Sequence, residues 1–339
     1  MAGHFGAARF RKARFRRGSG DDDEDAGVGD DMIPITQQAA SRRPSVALAL
    51  GAGGAKGLAY IGVIEELRRA GFDIVAIAGS SMGALIGGIH AAGKLEVYRD
   101  WVCALQKIDV LRLVDWTLSR GGLIKGERII GVLREMIGDI DIEALPIEFT
   151  AVATDIDRQR EVWLSRGPLF DAIRASIAIP MVFHPHHVDD RRLVDGGLMN
   201  PVPLAPLLRA RSDYIVAVSV NGPEEALAPQ REAGVSSRRG LHGRIAALVG
   251  HHSRDEETQR APGWLDIVTR ALDLMQDNLA QMKLAAHRPD LLIELPRNIG
   301  MAYEFYHARA IIEAGREHTR RALASWPPRG GSDEAVTRS

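Results

Sequence analysis

The 339-residue sequence predicts an α/β protein with a mainly parallel central sheet and helices on its faces. A strand, a glycine-rich loop and a helix follow one another twice between residues 46 and 92. Further short apolar segments continue as far as residue 295. Apolar runs that alternate with helical spacing are typical of βαβ units, whose parallel strands are buried on both faces. Because the strand candidates span the whole region, we expect one sheet rather than two domains.

The first two strands are predicted at residues 46–50 and 74–78, each an apolar run that ends in glycine. Between them, apolar residues recur at helical spacing from Leu58 to Leu67. A helix of small residues is predicted at 82–92. Further strands are predicted at 147–153, 192–194, 214–220 and 291–295, and further helices at 128–137, 169–176, 264–286 and 308–325.

The composition excludes few function classes. The 43 Lys and Arg residues balance 44 Asp and Glu residues, so no overall field attracts nucleic acid or a membrane. The single cysteine, Cys103, excludes an intrachain disulfide framework and is typical of a reducing compartment. No apolar run is long enough to predict a membrane-spanning helix. We therefore expect a cytoplasmic protein without a cofactor or nucleic-acid partner, and leave peripheral membrane contact open.

The chain ends differ in composition from the middle. Residues 1–40 place a basic block directly before an acidic run, which predicts a disordered tail. A membrane-surface or nucleic-acid arm is the alternative interpretation of that block. A folded domain is predicted at 41–326, with a flexible insertion at 221–263 and a C-terminal tail at 327–339.

The sharpest motif is Gly79-Ser80-Ser81-Met82-Gly83, a G-x-S-x-G sequence at the junction of a predicted strand and helix. In this context the sharp turn exposes the serine hydroxyl, and the helix that follows directs N–H groups and partial positive charge toward the reacting oxygen. A tight strand-to-helix turn without chemistry is the alternative, because Gly and Ser are common.

A glycine loop, residues 51–57, follows the first strand. Its N–H groups could stabilise the oxyanion of an acyl-transfer intermediate. A P-loop is excluded because Gly57 follows Lys56 where Ser or Thr is needed. A dinucleotide site is excluded because Lys56 takes the place of the last glycine of its fingerprint.

The third motif is Asp195-Gly196-Gly197, a carboxylate at the end of a short predicted strand. Asp-Gly alone usually marks a turn, so its meaning depends on the other motifs. Together with the block from Arg174 to Pro180, the glycine loop, the G-x-S-x-G turn and Asp195-Gly196-Gly197 occur in the order found in the patatin-like phospholipase family. The sequence resembles the compact bacterial members of that family from about residue 46 to 208, and more weakly to 325.

The resemblance implies a three-layer α/β/α fold and a catalytic dyad in place of a triad. By motif position, Ser81 is the nucleophile and Asp195 the base. The oxyanion hole is expected from backbone N–H groups of Gly53, Gly54 and Met82. Lys56 and Gly57 are expected to support the loop, while Gly79, Gly83, Gly196 and Gly197 shape the turns.

The implied reaction is hydrolysis of a lipid acyl ester, as in a phospholipase A, a lysophospholipase or an esterase. An acyltransferase using the same acyl-enzyme, and a non-catalytic protein on the same fold, are the alternatives. Segments 101–125 and 221–263 are candidates for a lid over an apolar cleft or for contact with a bilayer.

Two other kinds of site are disfavoured by the sequence: a zinc site and a catalytic triad that includes a histidine. A zinc site could be formed by His184, His186, His187, Asp189 and Asp190, but alternating side chains of a hairpin would point to opposite faces. A triad histidine would follow the Asp in sequence, and no motif supports any such residue. The candidates are His242, His251, His252, His287 and His307.

Overall fold

The computed structural model describes residues 42–113, 116–119, 122–124, 126–225, 264–301 and 303–326. The strands are β1 (Ser45–Leu50), β2 (Asp73–Ser80), β3 (Trp116–Ser119), β4 (Gly122–Ile124), β5 (Glu148–Asp155), β6 (Arg160–Leu164), β7 (His186–Val188), β8 (Arg191–Asp195), β9 (Tyr214–Gly222) and β10 (Leu291–Pro296). The helices are α1 (Ala59–Arg69), α2 (Met82–Ala91), α3 (Leu95–Ala104), α4 (Lys107–Leu113), α5 (Glu127–Ile137), α6 (Leu169–Ser176), α7 (Trp264–Ala286) and α8 (Ala308–Ser325).

Hydrogen bonding joins the strands of the central sheet in the sequence β10-β9-β1-β2-β5-β8-β7, and β6 also pairs with β5. Strands β10, β9, β1, β2 and β5 are parallel, whereas β6, β8 and β7 are added in antiparallel pairs. The expected mainly parallel sheet is therefore confirmed. His186 and His187 lie in the β7–β8 hairpin and Asp189 and Asp190 in its turn, as the hairpin interpretation predicted, while His184 lies just before β7.

The two faces of the sheet differ in side-chain size. In β1, Val46, Leu48 and Leu50 point into a large core shared with α1, α2 and α8. Ala47 and Ala49 point to the other face, where the smaller core contains Ala280 of α7. All six residues of β1 are buried, so the strand crosses the centre of the molecule.

Some of the predicted segments lie wholly or partly outside the residues that the structure describes. Residues 1–41, 226–263 and 327–339 are not among the described residues, so the tails and most of the predicted insertion stay predictions. In the predicted lid segment 101–125, the backbone forms the end of α3, α4 and the antiparallel pair β3–β4. No helix in the described part of the chain is long and apolar enough to cross a bilayer.

Candidate active site

Strand β5 brings the two candidate catalytic residues together along one of its edges. Residues Ala76–Ser80 of β2 pair with Glu148–Val152 of β5, and Leu193–Asp195 of β8 pair with Ala153–Asp155. Strand β6 pairs with β5 from Ala151 to Asp155, overlapping both sets of partners, so it occupies the opposite edge. Strands β2 and β8 therefore lie end to end along the same edge of β5, and their carboxyl ends face each other.

Ser81 occupies the turn at the end of β2. Its backbone φ of 55° and ψ of −121° lie outside the regions that non-glycine residues favour, which is the strained geometry of a nucleophile turn. Helix α2 begins at Met82, so the positive end of its dipole lies beside the hydroxyl. A Cβ atom on Gly83 would lie 2.1 Å from the carbonyl oxygen of Leu50, so only glycine fits there without displacement of β1.

The hydroxyl of Ser81 donates a hydrogen bond of 2.6 Å to Oδ2 of Asp195, 114 positions away in sequence. The other carboxylate oxygen accepts a 2.7 Å hydrogen bond from the N–H of Gly197. Both side chains are buried, with exposed fractions of 4% and 3%. Burial raises the pKa of Asp195 to about 6, while the hydrogen bonds from Ser81 and Gly197 act in the opposite direction. The carboxylate is thus more basic than a surface aspartate.

Two buried hydroxyl groups hold the backbone around this pair. The N–H of Ser81 donates to Oγ of Ser176 at 2.9 Å, and that hydroxyl donates to the carbonyl oxygen of Val152 at 2.6 Å. Oγ1 of Thr154 donates to the carbonyl oxygen of Asp195 at 3.0 Å. The sequence interpretation assigned no role to either residue. Ser176 lies in the block from Arg174 to Pro180, so the motif could have drawn attention to it.

The glycine loop passes directly against the serine turn. A Cβ atom on Gly57 would lie 2.4 Å from Cγ of Met82. Gly54 has a left-handed φ of 53° and begins a short 3-10 helix (Gly54–Leu58). The first N–H groups of a helix lack acceptors within it, and those of Gly54 and Met82 are in this position, with Gly53 directly before Gly54.

Lys56 connects the glycine loop to the end of β9. Its Nζ donates to Oδ1 of Asn221 at 3.2 Å and to the carbonyl oxygen of Val220 at 3.4 Å. Burial lowers the pKa of Lys56, and the nearby carboxylates of Asp273 and Asp277 on α7 oppose that shift. The loop is therefore tied both to the sheet and, electrostatically, to α7.

The remaining candidates lie apart from the pair. His287 and His307 make no hydrogen bond to Asp195 among the described residues, and His242, His251 and His252 lie outside them. Within the described ranges no group of three or more His, Cys, Asp or Glu side chains could hold a metal ion. The carboxylate of Asp155 accepts hydrogen bonds from the N–H groups of Asp157 and Arg158, so its side chain stabilises the turn at the end of β5.

A surface groove of about 1100 Å³ lies elsewhere, and neither Ser81 nor Asp195 lines it. Its lining is mostly charged, with Glu65, Arg99 and Arg316 among the residues in ion pairs. Such a surface is poorly suited to an acyl chain.

The structure is an α/β fold in which the hydroxyl of Ser81 and the carboxylate of Asp195 meet beside the glycine loop. A family model described as patatin-like phospholipase matches residues 48–208, which include the glycine loop, the serine turn and Asp195. An uncharacterized NTE family protein of Mycobacterium tuberculosis is 39% identical over 335 residues, covering 84% of this chain and 93% of that protein. The chain belongs to the patatin-like phospholipase family.

More distant similarities cover smaller parts of the matched proteins. The neuropathy target esterase sws of Drosophila melanogaster is 27% identical over 188 residues, which are 53% of this chain and 13% of that protein. The crystal structure of VipD from Legionella pneumophila aligns with a TM-score of 0.42 and 13% identity, covering 84% of this chain and 67% of that chain.

Proposed function

We propose that the protein is a serine hydrolase that cleaves lipid acyl esters through the Ser81–Asp195 pair. The observation that carries the proposal is the 2.6 Å hydrogen bond from Oγ of Ser81 to a buried carboxylate of raised pKa. Family membership supports lipid hydrolysis as the general class of reaction. Phospholipase A, lysophospholipase and general esterase activities are the members of that class that fit.

In the first step, Oδ2 of Asp195 accepts the proton of Ser81 while Oγ attacks the ester carbonyl carbon. The negative charge that develops on the carbonyl oxygen is stabilised by N–H groups of Gly53, Gly54 and Met82. Asp195 then returns the proton to the departing alcohol, which leaves an acyl-serine. Water gives a proton to the same carboxylate as its oxygen attacks the acyl-serine carbonyl carbon. Asp195 then returns that proton to Oγ of Ser81 as the C–O bond breaks, and the fatty acid leaves.

Labelling with a fluorophosphonate probe tests the pair. We expect wild-type protein to be labelled and Ser81→Ala to be unlabelled. Asp195→Asn should react about 10² to 10⁴-fold more slowly, which is the usual contribution of a general base. Asp157→Asn is the matched control, because this carboxylate is about half exposed and pairs with Arg192. Wild-type labelling rates in Asp195→Asn would refute the dyad.

Product analysis separates hydrolysis from acyl transfer. Radiolabelled phosphatidylcholine should yield free fatty acid, and an added glycerolipid alcohol should leave that yield unchanged. Transfer of most of the label to the alcohol would instead identify an acyltransferase on the same pair.

A further inference from the structure

The outer face of α7 carries an apolar stripe that the described structure leaves uncovered. Leu274 is 64% exposed, and Met275 and Met282 are each 68% exposed. The exposed residues Ala271, Met275, Asn278, Met282 and Ala285 are separated by steps of four and three, so they form one line along the helix. Leu274 lies beside that line. We call these six residues the α7 stripe.

The opposite face of α7 attaches the helix to the protein. Ala280 is buried against the alanine face of the sheet, and Lys283 pairs with Glu161 of β6 at 3.2 Å. A normal surface helix would carry its charges on the outer face. Helix α8 does so, with Arg309, Glu313, Arg320 and Arg321 exposed. The α7 stripe carries no charge, so this part of the helix surface departs from that pattern.

Helix α7 also contacts the candidate active site. It packs against the turn Gly196–Leu198 that follows the base. A Cβ atom on Gly197 would lie 3.3 Å from Nε2 of Gln276, one residue from the stripe. The stripe and the Ser81–Asp195 pair are thus connected through a single helix and one turn.

We infer that the α7 stripe docks the protein on the surface of a lipid aggregate, so that substrate reaches Ser81 from that surface. This inference rests on the proposed function. An amphipathic helix that lies in the interface buries its apolar face at the boundary between headgroups and acyl chains. A second copy of the chain is less suited, because one narrow stripe is small against the roughly 800 Å² per partner that stable protein interfaces bury.

The surroundings of the stripe indicate which lipid it fits. The exposed charges next to it include Arg270 and Asp273, one of each sign, and Lys283 is already paired. Without an excess of positive charge, binding to anionic headgroups gains little. We therefore expect docking on zwitterionic phosphatidylcholine, with an affinity that depends weakly on salt because burial of apolar surface drives it.

The test compares M275E/M282E with the control V97E/L208E on phosphatidylcholine vesicles. Val97 and Leu208 are 47% and 51% exposed on other elements, so the control adds the same two charges elsewhere. Binding is measured by vesicle flotation in a Ser81→Ala background, and turnover in the active proteins. We expect the stripe variant to bind and hydrolyse vesicles at least about tenfold less well, because two methionines no longer enter the lipid. The control should match the parent protein.

A soluble short-chain nitrophenyl ester separates the two proposals. Both double variants should hydrolyse it at the wild-type rate, since neither touches the Ser81–Asp195 pair. Unchanged vesicle binding in M275E/M282E would overturn the docking surface. A wild-type dimer that M275E/M282E converts to monomers, with vesicle binding unchanged, would assign the stripe to subunit contact instead. Failure of the wild type on every ester, with stripe-dependent vesicle binding intact, would overturn only the proposed function.

Discussion

At the scale of single residues, the buried carboxylate of Asp195 makes the reaction dependent on pH. The base must be unprotonated to accept the proton of Ser81, and burial raises its pKa to about 6. We expect kcat/KM for a soluble ester to rise with pH through about 6 and to level off above it. Asp157→Asn should keep this profile. A profile that is flat between pH 5 and 8 would contradict the assignment.

The same raised pKa predicts that the base destabilises the fold at neutral pH. Because the folded state binds this proton more tightly than the unfolded state, stability falls as pH rises from about 4 to about 6 and remains lower above that range. Asp195→Asn should raise the free energy of unfolding at pH 7 by on the order of 1–3 kcal/mol. Urea unfolding at pH 4 and 7 checks this, and an equal gain at both pH values would contradict it.

Ser176 is expected to position the nucleophile, since its hydroxyl joins the N–H of Ser81 to the carbonyl oxygen of Val152. Ser176→Ala removes both of these hydrogen bonds and lets the turn shift. A small misplacement at a reacting centre can lower rates about 10²-fold, so we expect a loss in kcat toward that size with KM nearly unchanged.

The matched control for Ser176 is Thr319→Val. Oγ1 of Thr319 is buried and donates to the carbonyl oxygen of Gly315 at 2.7 Å, so this change also removes one buried hydroxyl hydrogen bond. The hydroxyl of Thr319 makes its hydrogen bond within α8 rather than to the serine turn, so this variant should lose stability while it keeps kcat. Equal losses of kcat in both variants would reduce the effect of Ser176 to general destabilisation.

At the scale of elements, Glu65 connects three helices. Its Oε1 accepts from Nη1 of Arg99 on α3 at 2.7 Å, and its Oε2 accepts from Nη2 of Arg316 on α8 at 2.6 Å. Glu65→Gln removes the charge that both guanidinium groups share. Because the groups are only partly exposed, we expect a loss of about 1–2 kcal/mol in the free energy of unfolding.

Glu317→Gln provides the comparison within the same chain. Glu317 pairs with Arg320 and Arg321, all more than 40% exposed, and such pairs contribute about 0.5 kcal/mol or less. Chemical denaturation of both variants distinguishes them. A smaller loss for Glu65→Gln than for Glu317→Gln would show that the three-helix connection contributes little.

The elements also show what the sequence can predict. Helices α6, α7 and α8 are predicted with the boundaries that the structure has, because their apolar spacing is contained within each segment. Helix α3 has the same kind of signal in Leu95, Tyr98 and Val102, but the prediction missed it. Strand β6 has a weak local pattern, and its state follows from pairing with β5, which local sequence does not encode.

The same distinction between local sequence signals and long-range pairing applies to the candidate site. Motif order predicted Ser81 and Asp195 as partners, since each motif is a local sequence, and their side chains are hydrogen-bonded in the structure. The placement of β2 and β8 along the same edge of β5 could not be predicted, because it depends on which residues of β5 each strand pairs with. The hydrogen bonds of Ser176 and Thr154 also join residues 95 and 41 positions from their partners.

At the scale of the whole molecule, the two layers over the sheet differ in how firmly they are held. Helices α1, α2 and α8 pack large aliphatic side chains on one face, including Ile61, Ile86 and Ile312. On the other face α7 contributes Ala280 to a smaller cluster with alanines of β1 and β2, and Leu284 is partly buried against that cluster. Because burial of apolar area scales with side-chain size, α7 gains less free energy per residue from its contact with the sheet.

We therefore expect α7 to open without unfolding of the rest of the fold. Local opening has a smaller free energy where buried apolar contacts are few, and hydrogen exchange measures that free energy directly. Amides of Ala271–Lys283 should exchange faster than those of α2 and β1, and low concentrations of denaturant should leave this difference in place. Docking of the α7 stripe on phosphatidylcholine vesicles should slow exchange in α7 alone. Exchange in α7 as slow as in α2, with or without vesicles, would mean that both layers open only when the whole molecule unfolds.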